Sequence, residues 1–324
     1  MKSTDFENSP FAPAAPFAKE NCNVIGAEKI ELTAIEKKQK AKFVTQEYLR
    51  HLIDIDSPMH GSYVNSKNCA TTIFVNDGKA TTQYCKQRWC QVCNRIKTAK
   101  LINGYMPQFR TFTDPYFVTL TNKNVPAFEL AEILQVYQVV WRTIYKRMKK
   151  NKFDLKGLKK IECTYNSEFD TYHPHFHFVI ESKMVSEYLI ENWLLEMKAG
   201  ALFEYGAESV AQHMTPANEK SMLELFKYFT KLMAKPNSKG ERLIYISALD
   251  NIFNCMKNRR VFESFGIKKV KEDFEKLTAQ EMENHISGSY RFQWNFDQWY
   301  YGNAPLTNMS ISPSIRSIGK NIVL

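Results

Sequence analysis

The chain has 324 residues, 44% of them hydrophobic and 24% charged, with 12 Gly and 12 Pro. That is enough apolar material for about two cored domains, and it excludes a wholly disordered, collagen-like or mini-protein chain. Lys and Arg number 44 against 34 Asp and Glu, a net charge of +10 that points to an anionic partner, nucleic acid first.

Residues 1–27, with Ser9-Pro10-Phe11-Ala12-Pro13, are Pro/Ala-rich and unpatterned and read as a disordered arm. No apolar run reaches the roughly 18 residues of a membrane span, and the N-terminus lacks a basic-then-apolar leader. A cytoplasmic protein with no membrane partner is expected. Ile30, Leu32, Ile35, Phe43 and Leu49 among many Lys and Glu predict a helix over 29–53. It opens an N-terminal region, 28–110, that carries Cys69, Cys85, Cys90 and Cys93 and a strand at Thr71–Val75. Tyr116–Thr121 reads as a strand and Phe128–Lys150 as a long amphipathic helix with a basic end. A hairpin follows, Lys160–Tyr165 and Tyr172–Glu181 around a polar turn. Next come a helix over Ser186–Lys198 with Ser186 as N-cap, ended by Gly200, a short strand at Ser209–Met214 and a helix over Met222–Ala234. This order suits an α+β layer over 111–270, a central antiparallel sheet with helices packed on one face and helical flanks. Residues 271–324 form a C-terminal accessory segment, where Phe292, Trp294, Phe296 and Trp299 suit packing better than base stacking.

The densest chemistry is His173-Pro174-His175-Phe176-His177. In a strand the three histidines share one face, and adjacent same-face positions lie ~7 Å apart, so two of them can converge on one ion. A turn centred between Glu168 and Phe169 sets Glu162 opposite His175 and Ile161 opposite Phe176. Two imidazoles and a carboxylate suit Mg²⁺ or Mn²⁺; His173 as a third imidazole ligand stays open. On the helix over Met222–Ala234, Met222, Leu225, Phe226, Phe229, Leu232 and Met233 form an apolar stripe, and Glu224, Tyr228 and Lys231 lie opposite. Beside a divalent ion on a target phosphate, Tyr228 can act as nucleophile, Lys231 can ease its ionisation or hold the phosphate, and Glu224 can accept a proton. Four Cys within 25 residues fit a closed structural Zn²⁺ site rather than unligated core thiols. Arg88, Arg95 and Lys97 give that element a DNA-facing side. Arg142, Lys146 and Arg147 form either a phosphate-backbone contact or a solvated helix end, and Arg259 and Arg260 offer another phosphate contact.

Taken in order, these segments resemble the rolling-circle replication initiator (Rep) proteins of small bacterial plasmids, within the HUH endonucleases. The resemblance rests on Cys85 to Cys93, Phe117 to Thr121, Ile161 to Tyr165 with His173 to His177, Glu224 to Lys231, and Arg259 to Gly266. Gln91 stands where the family usually carries Pro. The resemblance implies an HUH-like fold and a metal-dependent, site-specific DNA endonuclease and strand transferase. In the family, the tyrosine nicks one strand of the double-strand origin, becomes linked to the 5′ phosphate and frees a 3′-OH. Ends are rejoined at termination, and in one branch of the family a Glu one turn before the tyrosine activates water in the terminating cleavage; Glu224 matches that placement. Implied partners are plasmid origin DNA, single-stranded at the nick, and a host helicase and polymerase. Two alternatives stand beside this reading: an HUH transposase or relaxase of a mobile element, and a non-catalytic zinc-dependent DNA-binding regulator.

Overall fold

The structure, a computed structural model, describes residues 33–76, 79–198, 206–226, 243–270 and 289–324. The expected arm at 1–27 lies outside them. In chain order the first elements are α1 (Thr33–Asp54), α2 (His60–Lys67), β1 (Thr72–Asn76), β2 (Lys79–Thr82), α3 (Gln91–Phe109), β3 (Pro115–Thr121), α4 (Leu130–Lys150), β4 (Gly157–Asn166) and β5 (Thr171–Glu181). They are followed by α5 (Lys183–Glu196), β6 (His213–Pro216), α6 (Glu219–Phe226), β7 (Ile244–Tyr245), α7 (Ile246–Met256), β8 (Phe262–Phe265), β9 (Tyr290–Asn295), β10 (Gln298–Tyr301) and β11 (Ala304–Pro305).

The chain divides into two compact units, Met1–Lys100 with Lys271–Ile322, and Leu101–Val270 with Val323–Leu324. In the first, an antiparallel sheet of order β11-β10-β9-β1-β2 joins the cysteine region to the C-terminal segment. Alternation along β1 buries Ile73 and Val75 on one side, where they meet Trp299, Leu306, Val92 and three of the cysteines. Trp299 is buried and its indole N–H donates to the Ala70 carbonyl at 2.8 Å, while Phe296 stays exposed at the β9–β10 turn.

The second unit is an α+β layer built on an antiparallel sheet of order β6-β3-β5-β4-β8. Strand β5 sits at its centre because its two faces are both used: Phe176, Phe178 and Ile180 are buried on one, and the histidines occupy the other. The apolar face receives α4, α5 and α7. Tyr137, Trp141 and Trp193 close on Phe176 and Phe178 with ring centroids 4.9 to 5.8 Å apart. Each such fully buried aromatic contributes about 1.5–3 kcal/mol by transfer alone. The polar atoms of this core are satisfied: Tyr137 donates to Asn122 and to the Pro174 carbonyl, and the Trp193 indole to the Thr121 carbonyl at 3.0 Å. The Gln212 side chain both accepts from the Thr121 N–H and donates to its carbonyl, which fixes the end of β3 beside the histidines.

Two local expectations are corrected. Ser182, not Ser186, caps α5: its Oγ accepts from the Val185 N–H at 3.3 Å, because the helix starts directly where β5 ends. Ser186 is buried in the first turn and donates back to the Ser182 carbonyl. The stretch Ser209–Met214 is not one strand but a 3₁₀ turn, Ser209–Ala211, followed by β6, which pairs with β3. Of the helix expected over Met222–Ala234, residues 222–226 lie in α6 with Met222, Leu225 and Phe226 buried. Phe229, Leu232 and Met233 lie outside the described residues, as does Gly200.

Candidate metal centre

The β4–β5 hairpin adopts the register read from the sequence: Glu162 faces His175, and Ile161 faces Phe176. In the same register Lys160 faces His177. Glu162, His175 and His177 therefore meet on one face, and their ligand atoms all lie within 4.8 Å of one another. Glu162 Oε2 is 3.2 Å from His175 Nε2 and 3.4 Å from His177 Nε2. Donors about 2.1 Å from a shared cation and at right angles to each other stand about 3 Å apart, so the spacing fits.

Ring orientation sharpens the fit. His175 Nδ1 lies 3.1 Å from the His173 carbonyl, a contact that turns the ring so that its Nε2 faces the Glu162 carboxylate. His177 Nδ1 is 3.0 Å from Thr119 Oγ1, a partner that holds Nε2 toward the same point. Burial lowers the His177 pKa, which favours the neutral imidazole that a ligand must be.

The carboxylate is held from behind. Lys160, with a fully buried side chain, donates to Glu162 Oε1 and leaves Oε2 to the imidazoles. Burial alone would raise the Glu162 pKa, but the Lys160 ammonium and the two imidazoles outweigh it and keep the carboxyl well below its usual range. His173 takes no part in this group: Asn124 Oδ1 accepts from its Nδ1 at 2.8 Å, and the Thr121 hydroxyl meets its Nε2 at 3.1 Å.

Glu224 lies half-buried in α6. Phe226 at the end of that helix packs against Phe262, with ring centroids 5.5 Å apart. Phe262 is the ladder partner of Lys160, so α6 reaches the sheet on the face that carries Glu162 and the histidines. Tyr228 and Lys231 lie outside the described residues.

In the first unit the sulfurs of Cys69, Cys85, Cys90 and Cys93 also lie within 4.8 Å of one another. Cys69 and Cys85 each stand 3.6 Å from Cys93, close to the ~3.8 Å edge of a tetrahedron with 2.3 Å metal–sulfur bonds. Lys86 adopts φ +59°, a left-handed turn that lets its N–H reach Cys93 Sγ at 3.2 Å, while the Gln87 N–H reaches Cys85 Sγ at 3.5 Å. Hydrogen bonds with the Cys69, Cys90 and Cys93 sulfurs hold the Cys85 thiol far below its usual range, and those with Cys69 and Cys85 push Cys90 and Cys93 above it. A cation among four sulfurs relieves that competition. Sequence reasoning missed Lys42, a buried lysine of α1 whose Nζ donates to the Lys67 and Cys69 carbonyls, each at 2.6 Å.

The basic residues expected on DNA differ in their settings. Arg142, Lys146 and Arg260 are exposed in the second unit, and Lys97 is exposed in the first; Arg88 and Arg95 are half-buried. Arg147 instead ties α4 to α5 through Asn192 and Glu196, and Arg259 ties the end of α7 to α4 through Gln135 and the Ala131 carbonyl. Lys160 and Thr119 escaped the sequence reading although the hairpin register and strand parity contain both.

A family model described as replication protein (Rep_1) matches residues 78–298. Protein rep of Staphylococcus aureus is 35% identical over 102 residues, 30% of this chain and 44% of the relative. Protein rep of Streptococcus pneumoniae is 33% identical over 135 residues, 37% of this chain and 40% of the relative. Protein rep of Bacillus amyloliquefaciens is 24% identical over 181 residues, 52% of this chain and 53% of the relative. The chain thus spans about half or less of the length of these curated relatives. No solved structure matches it.

Proposed function

The chain belongs to the replication-protein (Rep) family, and on that premise we propose that it initiates plasmid replication by nicking one strand of the double-strand origin through Tyr228. The observation that carries this reading is the convergence of Glu162, His175 and His177 on the sheet face that α6 reaches through Phe226. A Glu–His–His set is what phosphoryl chemistry at a divalent ion asks for, and a pure DNA binder needs none of it.

Glu162, His175 and His177 would hold Mn²⁺ or Mg²⁺, the two imidazoles favouring Mn²⁺. When bound, that ion polarises the scissile phosphate and offsets its charge. The chain's own residues do the rest. Tyr228 Oη attacks phosphorus, the P–O3′ bond breaks, the phosphate stays on the tyrosine as a 5′ ester, and the 3′ oxygen leaves as the hydroxyl that primes synthesis. Lys231 steadies the phenolate or the phosphate. Glu224 takes the proton of water in the terminating cleavage, and attack by a 3′-OH on the phosphotyrosine rejoins the ends. Lys160 keeps Glu162 charged and aimed. The four cysteines hold structural Zn²⁺, and Arg88, Arg95 and Lys97 beside them, with Arg142, Lys146 and Arg260, meet the DNA backbone. In a bacterial cytoplasm a host helicase unwinds the duplex and a host polymerase extends the 3′-OH.

The test is incubation of the full chain with supercoiled plasmid bearing its own origin, with Mn²⁺ and with chelator. The expected product is open-circular DNA, formed only with the ion. Relaxation that persists in chelator, or none under any divalent ion, would overturn the reading.

A further inference from the structure

On β4, Lys159 and Glu162 have opposite parity and so point to opposite faces of the sheet. Lys159 looks into a cavity of about 680 Å³ among α4, β4, the end of α7 and β8, on the face away from the Glu–His–His group. That volume lies in the range of small-molecule sites generally, ~300–1,000 Å³. Its lining collects five cations, Arg142, Lys159, Lys257, Arg259 and Arg260. Among the described residues Glu263 is its one carboxylate, and it is already paired with Lys159 at 2.9 Å.

The wall is prebuilt. Arg259 donates to the Cys255 carbonyl at 2.7 Å, to Gln135 Oε1 at 3.2 Å and to the Ala131 carbonyl at 2.9 Å, fixing the end of α7 against α4. Arg142 is steadied on its own helix by the Gln138 carbonyl at 3.1 Å. Lys159 is 4% exposed, its ammonium 4.8 Å from the Trp141 ring centroid, so the cavity has a cation at its floor as well as its rim. Burial, with smaller contributions from Arg260 and Arg142 and against the pull of Glu263, lowers the Lys159 pKa to about 8, a sign that these cations share one space. Several like charges around one hollow suit a multiply charged oxyanion, since a single monoanion cannot offset them.

We propose that this cavity binds phosphate groups, with Arg142 and Arg260 as rim contacts and Lys159 at the floor. The chemistry is that of clustered phosphates, supplied by a free nucleoside polyphosphate or by a DNA strand led around the β8 edge. The cavity lies on the sheet face opposite the Glu–His–His group, and its DNA arm rests on the reading that places Arg142 and Arg260 on the DNA backbone.

Calorimetric titration of the full chain with inorganic tripolyphosphate tests it, at near-physiological salt and beside the R142Q/R260Q double variant. Both side chains are exposed, so the variant should keep the wild-type unfolding temperature; Lys257→Gln serves if it does not. The expected result is saturable binding by wild type and at least tenfold weaker binding by the variant. Undetectable binding, or equal affinity in the two proteins, overturns the proposal. Two further arms identify the source: displacement of tripolyphosphate by an origin oligonucleotide assigns the phosphates to DNA, and displacement by ATP alone assigns them to a nucleotide.

Discussion

Thr119 shows how much of the candidate metal centre rests on groups outside the Glu162, His175 and His177 set. Its hydroxyl meets His177 Nδ1 at 3.0 Å, and replacing it with Val keeps the shape but frees the ring to turn. Loss of such a partner typically costs 10–100-fold in metal affinity. Thr119→Val is therefore expected to weaken Mn²⁺ binding by at least about tenfold, read by the EPR signal of free Mn²⁺, with the unfolding temperature little changed. Undiminished affinity would remove Thr119 from the account. Lys159 supplies a pH signature on the other face. Its folded pKa of about 8 lies below the ordinary lysine value of 10.5, because burial disfavours the ammonium and Arg260 and Arg142 add to that effect against Glu263. Below pH 8 the side chain is protonated folded and unfolded alike, and its buried charge weakens the fold. Between about pH 8 and 10.5 the folded state sheds the proton first, so the unfolded state binds more protons and stability rises with pH. Relative to Lys159→Met, the wild type should gain up to roughly 3 kcal/mol across that window in denaturant titrations. Parallel pH profiles for the two proteins would contradict the assignment.

At the level of elements, the β4–β5 hairpin was legible because two independent patterns agree on one register. Ile161 with Phe176 and Glu162 with His175 alternate in and out, and a slip of one residue would bury the histidines and expose the aromatics. Lys160 and Thr119 were not picked out, because a lysine in a basic chain and a threonine in a strand look like solvated or β-forming residues until a partner is seen. The start of α5 was misplaced for a related reason: Ser182 and Ser186 are both acceptable caps, and only the end of β5 decides between them. The convergence of the four cysteines was legible from spacing alone, but the left-handed turn at Lys86 and the buried Lys42 behind Cys69 were not. If the four sulfurs hold zinc, metal analysis should find about one zinc per chain. Cys93→Ser should lose it, and with it protection of the first unit from proteolysis. A zinc-free chain with an intact first unit would show that the thiols are plain core residues.

Across the whole molecule, the α+β layer followed from the alternation of strand and helix between Tyr116 and Phe226, whereas the strand order did not, since only β4 and β5 are neighbours in both sequence and sheet. The sheet of the first unit did not, because β1 pairs with β9 across most of the chain, and Tyr290–Asn295 carries no local mark of that partner. No helix among the described residues is long and apolar enough to cross a membrane. Exposed basic residues occur in both units, Lys97 in the first and Arg142, Lys146 and Arg260 in the second. The measurement that tests the account most directly is mass spectrometry of the protein–oligonucleotide adduct formed with a single-stranded origin fragment and Mn²⁺. A 5′-phosphate ester on Tyr228 is expected, abolished by Tyr228→Phe and by the H175A/H177A pair. An adduct on another side chain, or one that forms undiminished without the two imidazoles, would contradict it.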